Sequence, residues 1–400
     1  MILIISAVFP PDQGTSAYIT YELAIALSDT REVKVLTPKP TRPLRFSFHN
    51  VNLRKNKFEQ IILNSYTCPE FKLFGRIKES YSFGRHVSEY IKKNRSEIDG
   101  IYINAWPMLA QYSIAKSAKK YSLPSIIQID DIYPESLATK IPVIGNLLIK
   151  LFLPMDKFIL HNVSKIFAIS EEMRDILVES RKIQEDKIEV IHNWQDETEF
   201  IRYHENKKSS IKSDYTEKPF SFMYLGNIGP VAGVEFLIES FVKAKLKNAL
   251  LIIAGAGSMK DQCIRIAASY KNKNIQFKDV PYGMVPEIQD EADVMLLPVK
   301  KGAAMSSIPS KVIAYMFSKK PVIACVDEGS DTSKTIENSM CGWILPPENE
   351  DSLAAKMVSV VSMSRNELNN IGMNGFLYAM DNLSKKKNLE KMINIISNVI

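Results

Sequence analysis

No stretch of this chain reaches the roughly 18 continuous apolar residues that a membrane span needs, and no basic leader opens it. Met1-Ile2-Leu3-Ile4-Ile5-Ser6 enters a β-branched run directly, which predicts a buried first strand rather than a signal peptide. Cysteine is sparse. Cys68, Cys263, Cys325 and Cys341 form no CxxC pair, which argues against a disulfide framework or zinc site and fits a reducing compartment. There is no sequence-level internal repeat, and charge of either sign is in modest excess at most: the net charge is +6 over 400 residues. With 46% hydrophobic and 24% charged residues the composition is that of a soluble globular protein, and the length favours two domains over one core.

The basic residues are unevenly spread. Arg42, Arg45, Arg54, Lys55, Lys57, Lys72, Arg76 and Lys78 interleave with Phe46, Phe48, Phe58, Phe71 and Phe74. No nucleic-acid-binding motif accompanies them. The segment reads either as a solvated, partly packed face or as a surface for anionic lipid or a pyrophosphate-linked acceptor. Ile141–Leu160, apolar on most faces but broken by Gly145 and Pro154, reads as a core or domain-packing helix, with shallow interfacial insertion as the alternative.

Short apolar runs alternate with amphipathic segments, which predicts βαβ units and an α/β fold with parallel sheets. Strands are expected at Ile2–Ser6, Glu32–Leu36, Gly100–Ile103, Ser125–Ile129, Lys165–Ile169 and Lys187–Ile191, then at Ser221–Leu225, Ala249–Ala254, Ile275–Phe277, Val294–Leu297 and Pro321–Ala324. Helices are expected at Ser16–Leu27 and from Ser170, whose hydroxyl can cap the turn holding Glu171 and Glu172. Residues 1–200 form the expected first domain, a lysine-rich polar stretch over 201–218 the linker, and residues 219–379 the second domain. After an irregular segment, a final helix within about 380–400 is expected to pack back on the first domain.

Ligands of doubly wound sheets bind beyond the carboxyl ends of the strands. After the first strand comes Phe9-Pro10-Pro11-Asp12-Gln13-Gly14-Thr15, with one glycine where a dinucleotide fingerprint needs three, so nicotinamide and flavin chemistry is disfavoured. The loop is either a plain turn or an anion-facing helix entry. Gly226-Asn227-Ile228-Gly229 and Gly255-Ala256-Gly257 are two glycine-rich strand ends one βα unit apart, a pattern suited to phosphate. Val280-Pro281 ends the next unit. Lys300, Lys301 and the entry Ser306-Ser307-Ile308-Pro309-Ser310-Lys311 follow, with Ser307 placed to cap and Pro309 suited to the first turn. These lysines and hydroxyls suit a leaving pyrophosphate, or alternatively form a capped helix with surface lysines. In the first half, Asp130-Asp131-Ile132-Tyr133-Pro134-Glu135 reads as acidic groups positioning an acceptor hydroxyl or as a solvated turn; His192-Asn193-Trp194 likewise ends a strand, with His192 either structural or a ligand.

These motifs, in this order and together with Ala168-Ile169-Ser170-Glu171, Pro321-Val322-Ile323-Ala324 and Gly342-Trp343-Ile344-Leu345-Pro346-Pro347, resemble the family 4 retaining glycosyltransferases of GT-B fold, and within them bacterial surface-polysaccharide enzymes of the N-acetylfucosaminyltransferase type. The resemblance covers nearly the whole chain. It implies two Rossmann-like domains facing across a cleft and transfer from a nucleotide-sugar, a UDP-N-acetyl sugar in these relatives, to a glycan or polyprenyl-diphosphate-linked acceptor of O-antigen or capsule. It implies no nucleic-acid partner, no metal or other cofactor, and a cytoplasmic protein, at the membrane face if it touches lipid. Carried onto this sequence, the catalytic group is Asp131, Glu135, Lys301 and Lys311. Donor contacts fall on Gly14, Thr15, Asn193, Gly226, Asn227, Gly229, Gly257, Val280, Pro281, Lys300, Ser306, Ser307, Ile308 and Ser310, and acceptor contacts on Asn104, Asp130 and Tyr133.

The sequence departs from the family where charge matters. Asn227 and Ala232 stand at the places of an Arg and a Lys that grip the diphosphate, and Ser306 and Ala314 at those of two glutamates. Lys300, Lys301 and Lys311 are the candidates for the missing positive charge. A sugar-nucleotide 2-epimerase shares the two-domain fold but needs acid–base side chains that this sequence has few of; a non-catalytic nucleotide-sugar-binding protein is the other alternative.

Overall fold

The computed structural model describes residues 1–12, 15–41, 57–68, 73–104, 107–140, 145–208, 218–271, 273–281, 283–302 and 309–400. The chain divides into two compact units, Met1–Asn193 with Asn388–Ile400, and Trp194–Lys387.

The first unit runs β1 (Ile2–Ser6), α1 (Thr15–Ser28), β2 (Val33–Thr37), β3 (Glu59–Ile62), α2 (Leu73–Asn94), β4 (Gly100–Asn104), α3 (Met108–Lys120), β5 (Ser125–Ile129), α4 (Glu135–Lys140), α5 (Gly145–Asn162), β6 (Lys165–Ala168), α6 (Glu171–Arg181) and β7 (Ile188–Val190). Among the described residues its sheet has the order β3-β2-β1-β4-β5-β6-β7, every pair parallel. β1, β4 and β5 are buried along their whole length, which is why they read as unbroken apolar runs: helices cover both faces of a parallel sheet. The order reverses between β1 and β4, and their carboxyl ends, Ser6 and Asn104, stand side by side there.

In the second unit come α7 (Thr198–Lys208), β8 (Phe220–Leu225), α8 (Val234–Ala244), β9 (Ala249–Ala254), α9 (Lys260–Ser269), β10 (Ile275–Lys278), α10 (Val285–Asp290), β11 (Val294–Pro298), α11 (Ser310–Phe317), β12 (Val322–Cys325), α12 (Asp331–Ser339), β13 (Gly342–Leu345), α13 (Glu350–Val361) and α14 (Arg365–Asn382). Its sheet, β10-β9-β8-β11-β12-β13, is again parallel and reverses between β8 and β11. Apolar clusters fill both of its faces, one packed with α11 and α14, the other with α8 and α13.

Each expected strand is present within one residue of its expected ends. Two further strands join the sheet edges. β3 is half polar and held by Lys34 Nζ to Glu59 at 3.3 Å, and β13, Gly-Trp-Ile-Leu, is apolar but short and only partly buried. Ser170 caps α6 as expected, its hydroxyl accepting from the Met173 amide at 3.2 Å. The segment expected to be irregular is helical. Ser330 and Asn349 cap α12 and α13, and Ser364 with Glu367 forms a full capping box on α14, a start signal legible in Ser364-Arg365-Asn366-Glu367.

The expected linker needs correction. Its first part is α7, folded onto the second unit: Phe200 packs against Phe317 at 5.7 Å, and the Tyr203 hydroxyl and Lys207 Nζ both reach Asp290. A polar, lysine-rich outer face concealed the buried side of this helix. Residues 209–217 lie outside the described residues. The chain passes between the units at Asn193–Trp194, and again at Lys387–Asn388 inside α15 (Lys385–Val399). The second unit thus starts and ends outside the expected 219–379, because α7 and the end of α14 belong to its core. The last residues lie on the first unit, where Ile400 covers Gly100 and Lys391 Nζ donates to the Val190 carbonyl at 2.9 Å.

Of the basic aromatic segment, 42–56 and 69–72 lie outside the described residues. Phe58 is buried against Phe9 and Tyr21, whereas Phe74 is 85% exposed. α5 packs through Ile159 and Leu160 but leaves Leu147 and Leu151 exposed one turn apart. No helix among the described residues is long and apolar enough to cross a membrane.

Asp290 anchors α7. Burial works against its charge, but Lys320, Lys207 and Tyr203 outweigh it and hold the carboxyl down at about 2. A folded value below the unfolded one, about 3.9, stabilises above that unfolded value, and the gain is lost as pH falls through about 4 to 2. Asp290→Asn is therefore expected to cost roughly 2 kcal/mol at pH 7 and almost nothing at pH 2, read from urea unfolding of the two proteins across that range.

Candidate functional site

The carboxyl ends of β8, β9, β10 and β11 lie in a row, about 4.8 Å apart per strand. The two glycine loops meet there backbone to backbone. The Ile228 amide donates to Ala256 O at 2.8 Å and the Gly226 amide to Ala254 O at 3.0 Å. A Cβ on Gly255 would stand 2.1 Å from Gly226 O, and one on Gly257 2.2 Å from Ile228 O, so only glycine permits this approach. Among the described residues the Asn227, Gly229 and Gly257 N–H groups find no protein acceptor.

α11 is fixed onto this loop by two side chains one turn apart. Tyr315, fully buried, accepts from the Leu225 amide at 3.1 Å and donates to the Leu225 carbonyl at 2.9 Å, closing the end of β8. Lys311 lies across Gly226, where a Cβ would meet Lys311 Cε at 2.2 Å, and its Nζ sits 5.4 Å from the Tyr224 ring centre. Among the described residues Lys311 has no anionic partner, and burial pushes its ammonium below the ordinary lysine value. Pro309, with ψ 134°, is the N-cap of α11 rather than part of its first turn; its carbonyl accepts from the Val312 amide at 3.0 Å, it offers no side-chain cap, and among the described residues the Ser310 and Lys311 amides have no acceptor. Ser306, Ser307 and Ile308 lie outside the described residues; Ser310 is exposed at the helix start.

The other two lysines stand among carboxylates. Lys300 lines a cavity of about 330 Å³ with Glu235, Glu239 and Glu348. The Lys301 amide donates to Glu348 at 3.4 Å and the Gly302 amide to Asp327 at 2.6 Å, so acidic side chains already occupy this turn. Val280 is partly buried and Pro281 exposed beyond β10. Ala232 is buried in the apolar cluster under α8, far from offering charge.

In the first unit, Asn104, Asp130 and Ser16 meet at the β1–β4 reversal. Ser16 Oγ lies 2.9 Å from Asp130 Oδ2 and 3.1 Å from Asn104 Oδ1. No pattern around Ser16 marks its role, since the partners are 88 and 114 residues away. Thr15 is exposed beside it, and Gly14 lies outside the described residues. Asp131 is exposed. His192 sets its Nδ1 on Ile169 O at 3.0 Å, and burial lowers its ring below the ordinary histidine value; Asn193 is half-buried next to it.

Glu135 requires a correction. Arg181, 1% exposed, holds both its oxygens at 2.7 and 2.6 Å, and the same guanidinium reaches Asp156 at 2.8 Å and the Tyr133 carbonyl at 2.6 Å. Burial opposes the Glu135 charge, but the Arg181 bonds overcome it and hold the carboxyl below its usual range. Clamped in this way, the carboxylate is a counter-ion to the buried guanidinium. Arg181 escaped the sequence reading because it ends a helix with no motif around it. Tyr133 keeps its phenol protonated through burial.

Comparison with known proteins places these units. Residues 16–199 match the model of Glycosyltransferase Family 4, and residues 205–378 that of Glycosyl transferases group 1. The probable glycosyltransferase WbjE of Pseudomonas aeruginosa is 22% identical over 257 residues, 62% of each chain. A putative colanic acid biosynthesis glycosyl transferase, WcaI of Escherichia coli, is 27% identical over 156 residues, 38% of each. The matches thus span less than two thirds of these relatives. The crystal structure of Anabaena Alr3699/HepE in complex with UDP superposes with a TM-score of 0.67 at 14% identity, covering 99% of both chains, a likeness of fold: two parallel-sheet, Rossmann-like units of GT-B type.

Arg181→Met leaves Asp156 and Glu135 as uncompensated charges. Its expected cost is about 3–5 kcal/mol of unfolding free energy, measured by urea titration, whereas Arg174→Met on the exposed side of the same helix is expected to cost less than about 1 kcal/mol.

Proposed function

Because the chain carries a Glycosyltransferase Family 4 domain followed by a Glycosyl transferases group 1 domain, we propose that it is a glycosyltransferase that uses a nucleoside diphosphate sugar, a UDP-N-acetyl sugar first among them, to extend a bacterial surface glycan of the O-antigen or capsule type. The observation that carries this reading is Lys311, a half-buried cation without an anionic partner among the described residues, lying on a glycine loop whose Asn227 and Gly229 amides have no acceptor among those residues. A diphosphate supplies the two things this place needs: negative charge for the ammonium and acceptor oxygens for the N–H groups of Asn227, Gly229 and the first turn of α11. The base then lies towards Val280 and Pro281, two strands further along the row of strand ends. UDP is the nucleotide named with the HepE structure, which favours uridine here.

In this reading Lys311, rather than Lys300 or Lys301, replaces the cations missing at Asn227 and Ala232, since Lys300 and Lys301 already stand among Glu348, Glu235 and Asp327. Transfer keeps the anomeric configuration. The bond from the anomeric carbon to the phosphate oxygen breaks, the acceptor oxygen forms its bond on the same face, and the acceptor proton passes to the departing phosphate. Charge on that phosphate is stabilised by Lys311 and backbone dipoles, with no metal required. The acceptor, a glycan or a polyprenyl-diphosphate-linked glycan, is assigned to the first unit, near Asn104 and Asp131. The exposed Leu147, Leu151 and Phe74 of that unit suit a cytoplasmic protein that rests on the membrane holding such a lipid.

A thermal-shift panel of UDP-, GDP-, ADP- and dTDP-sugars tests the donor, since a bound ligand raises the midpoint with the logarithm of its concentration over Kd. UDP-N-acetyl sugars are expected to shift the midpoint most. Lys311→Gln is expected to weaken UDP binding roughly 10- to 100-fold, against less than about 3-fold for Lys301→Gln. Equal loss in both variants would move the diphosphate to the Lys300–Gly302 turn, and no shift with any of the nucleotides would overturn the reading.

A further inference from the structure

A run of polar side chains crosses the first unit under the β1–β4 reversal, and its protons can be counted. The Tyr102 hydroxyl on β4 is fully buried and donates to Gln128 Oε1 on β5; among the described residues it has no other acceptor. This fixes the Gln128 amide, so that Nε2 faces Asp130 Oδ1 and donates to it at 2.9 Å. At the other end Thr20 Oγ1 donates to the Ser16 carbonyl at 2.9 Å and accepts from Asn104 Nδ2 at 2.6 Å. Asn104 Oδ1 therefore faces Ser16 Oγ at 3.1 Å, and Asp130 Oδ2 faces the same hydroxyl at 2.9 Å. Ser16 has one proton for two acceptors. With Asp130 ionised, one of these two oxygen pairs has no hydrogen between its members. With a proton on Asp130 Oδ2 the run closes: Asp130 donates to Ser16, Ser16 donates to Asn104, and each group of the run has a partner of the right kind.

We propose that Asp130 is held as a neutral carboxylic acid and that its proton, relayed through the Ser16 hydroxyl to Asn104, latches the first turn of α1 to β4 and β5. Asp130 is then a positioning residue, acting through Ser16 on the helix entry where Thr15 stands. The electrostatic surroundings agree. Burial, the largest influence, pushes its carboxyl up against the opposing bonds from Gln128 and Ser16, and the Asp131 charge adds to the rise. The titratable groups facing it are Asp131 on its own segment and Tyr102 on β4; α1 presents the hydroxyls of Ser16 and Thr20. Since the folded value lies above the unfolded one, the latch is complete below the unfolded value of about 3.9 and is lost as pH rises through the folded value.

The test is a carboxyl 13C NMR titration of the full-length protein labelled at aspartate, with the Asp130 resonance assigned by its absence in Asp130→Asn. That variant keeps the run intact, because its amide donates to Ser16 as the acid does. The expected result is a midpoint above the ordinary aspartate range. Ser16→Ala supplies the assignment as well if Asp130→Asn does not fold, as the resonance it moves. A midpoint in or below the ordinary range overturns the proposal.

Discussion

Gly226 has a hydrogen where any other residue has a carbon, and the space so left is filled by the Lys311 side chain. The contact joins the end of β8 to the start of α11, two elements 85 residues apart in sequence (311 − 226), and Tyr315 secures it from the next turn by holding both backbone groups of Leu225. With a side chain at position 226 the lysine would have to leave the loop. With a side chain at 255 or 257 the second glycine loop would be forced off the first. The geometry of the phosphate-type site in the second unit thus rests on the absence of three Cβ atoms. Its charge rests on one ammonium kept in place by packing rather than by an ion pair.

That dependence explains what could be read in advance. Buried parallel strands write themselves as continuous apolar runs, so β1, β4, β5, β8, β9 and β11 were legible to within one residue. Two edge strands, β3 and β13, and the solvent-facing α7 did not announce themselves. β3 is Glu-Gln-Ile-Ile, half polar, and α7 hides Phe200 behind lysines and glutamates. The glycine loops were visible as spacing, and Lys311 as a motif member. That Lys300 shares a cavity with three glutamates while Lys311 lies on the glycine loop was invisible, because Glu235, Glu239 and Glu348 come from elements spread over more than a hundred residues. The partner of Glu135 was hidden for the same reason, Arg181 lying 46 positions away.

The two units solve the same topological problem with different chemistry. Both reverse strand order after their first strand, which opens a crevice at the strand ends. In the second unit the crevice is lined by backbone amides and a cation, a surface that favours an anion of fixed charge. In the first it is lined by Ser16, Asn104 and Asp130, neutral or weakly acidic groups already saturated by one another. A saturated network does not bind by offering free charge. It fixes a shape, here the angle at which α1 leaves its loop, at the cost of tolerating few substitutions, since removing one member leaves a buried neighbour unpaired.

Arg181 extends the argument from shape to rigidity. Its guanidinium ties α6 to Asp156 of α5 and to the Tyr133 carbonyl and Glu135 at the start of α4, so the segment after β5 is anchored at its far end by a buried ion pair and at its near end by the Asp130 run. Between those anchors stand Asp131, exposed, and Ile132. A carboxylate on a short segment pinned at both ends has little freedom to lose when a ligand arrives, and the entropy of ordering it is already met by folding. Charge in the second unit and preorganised shape in the first are therefore separable properties. A change at Arg181 is expected to loosen the first unit without touching nucleotide affinity, and a change at Lys311 to do the reverse, because each rests on contacts made within its own unit.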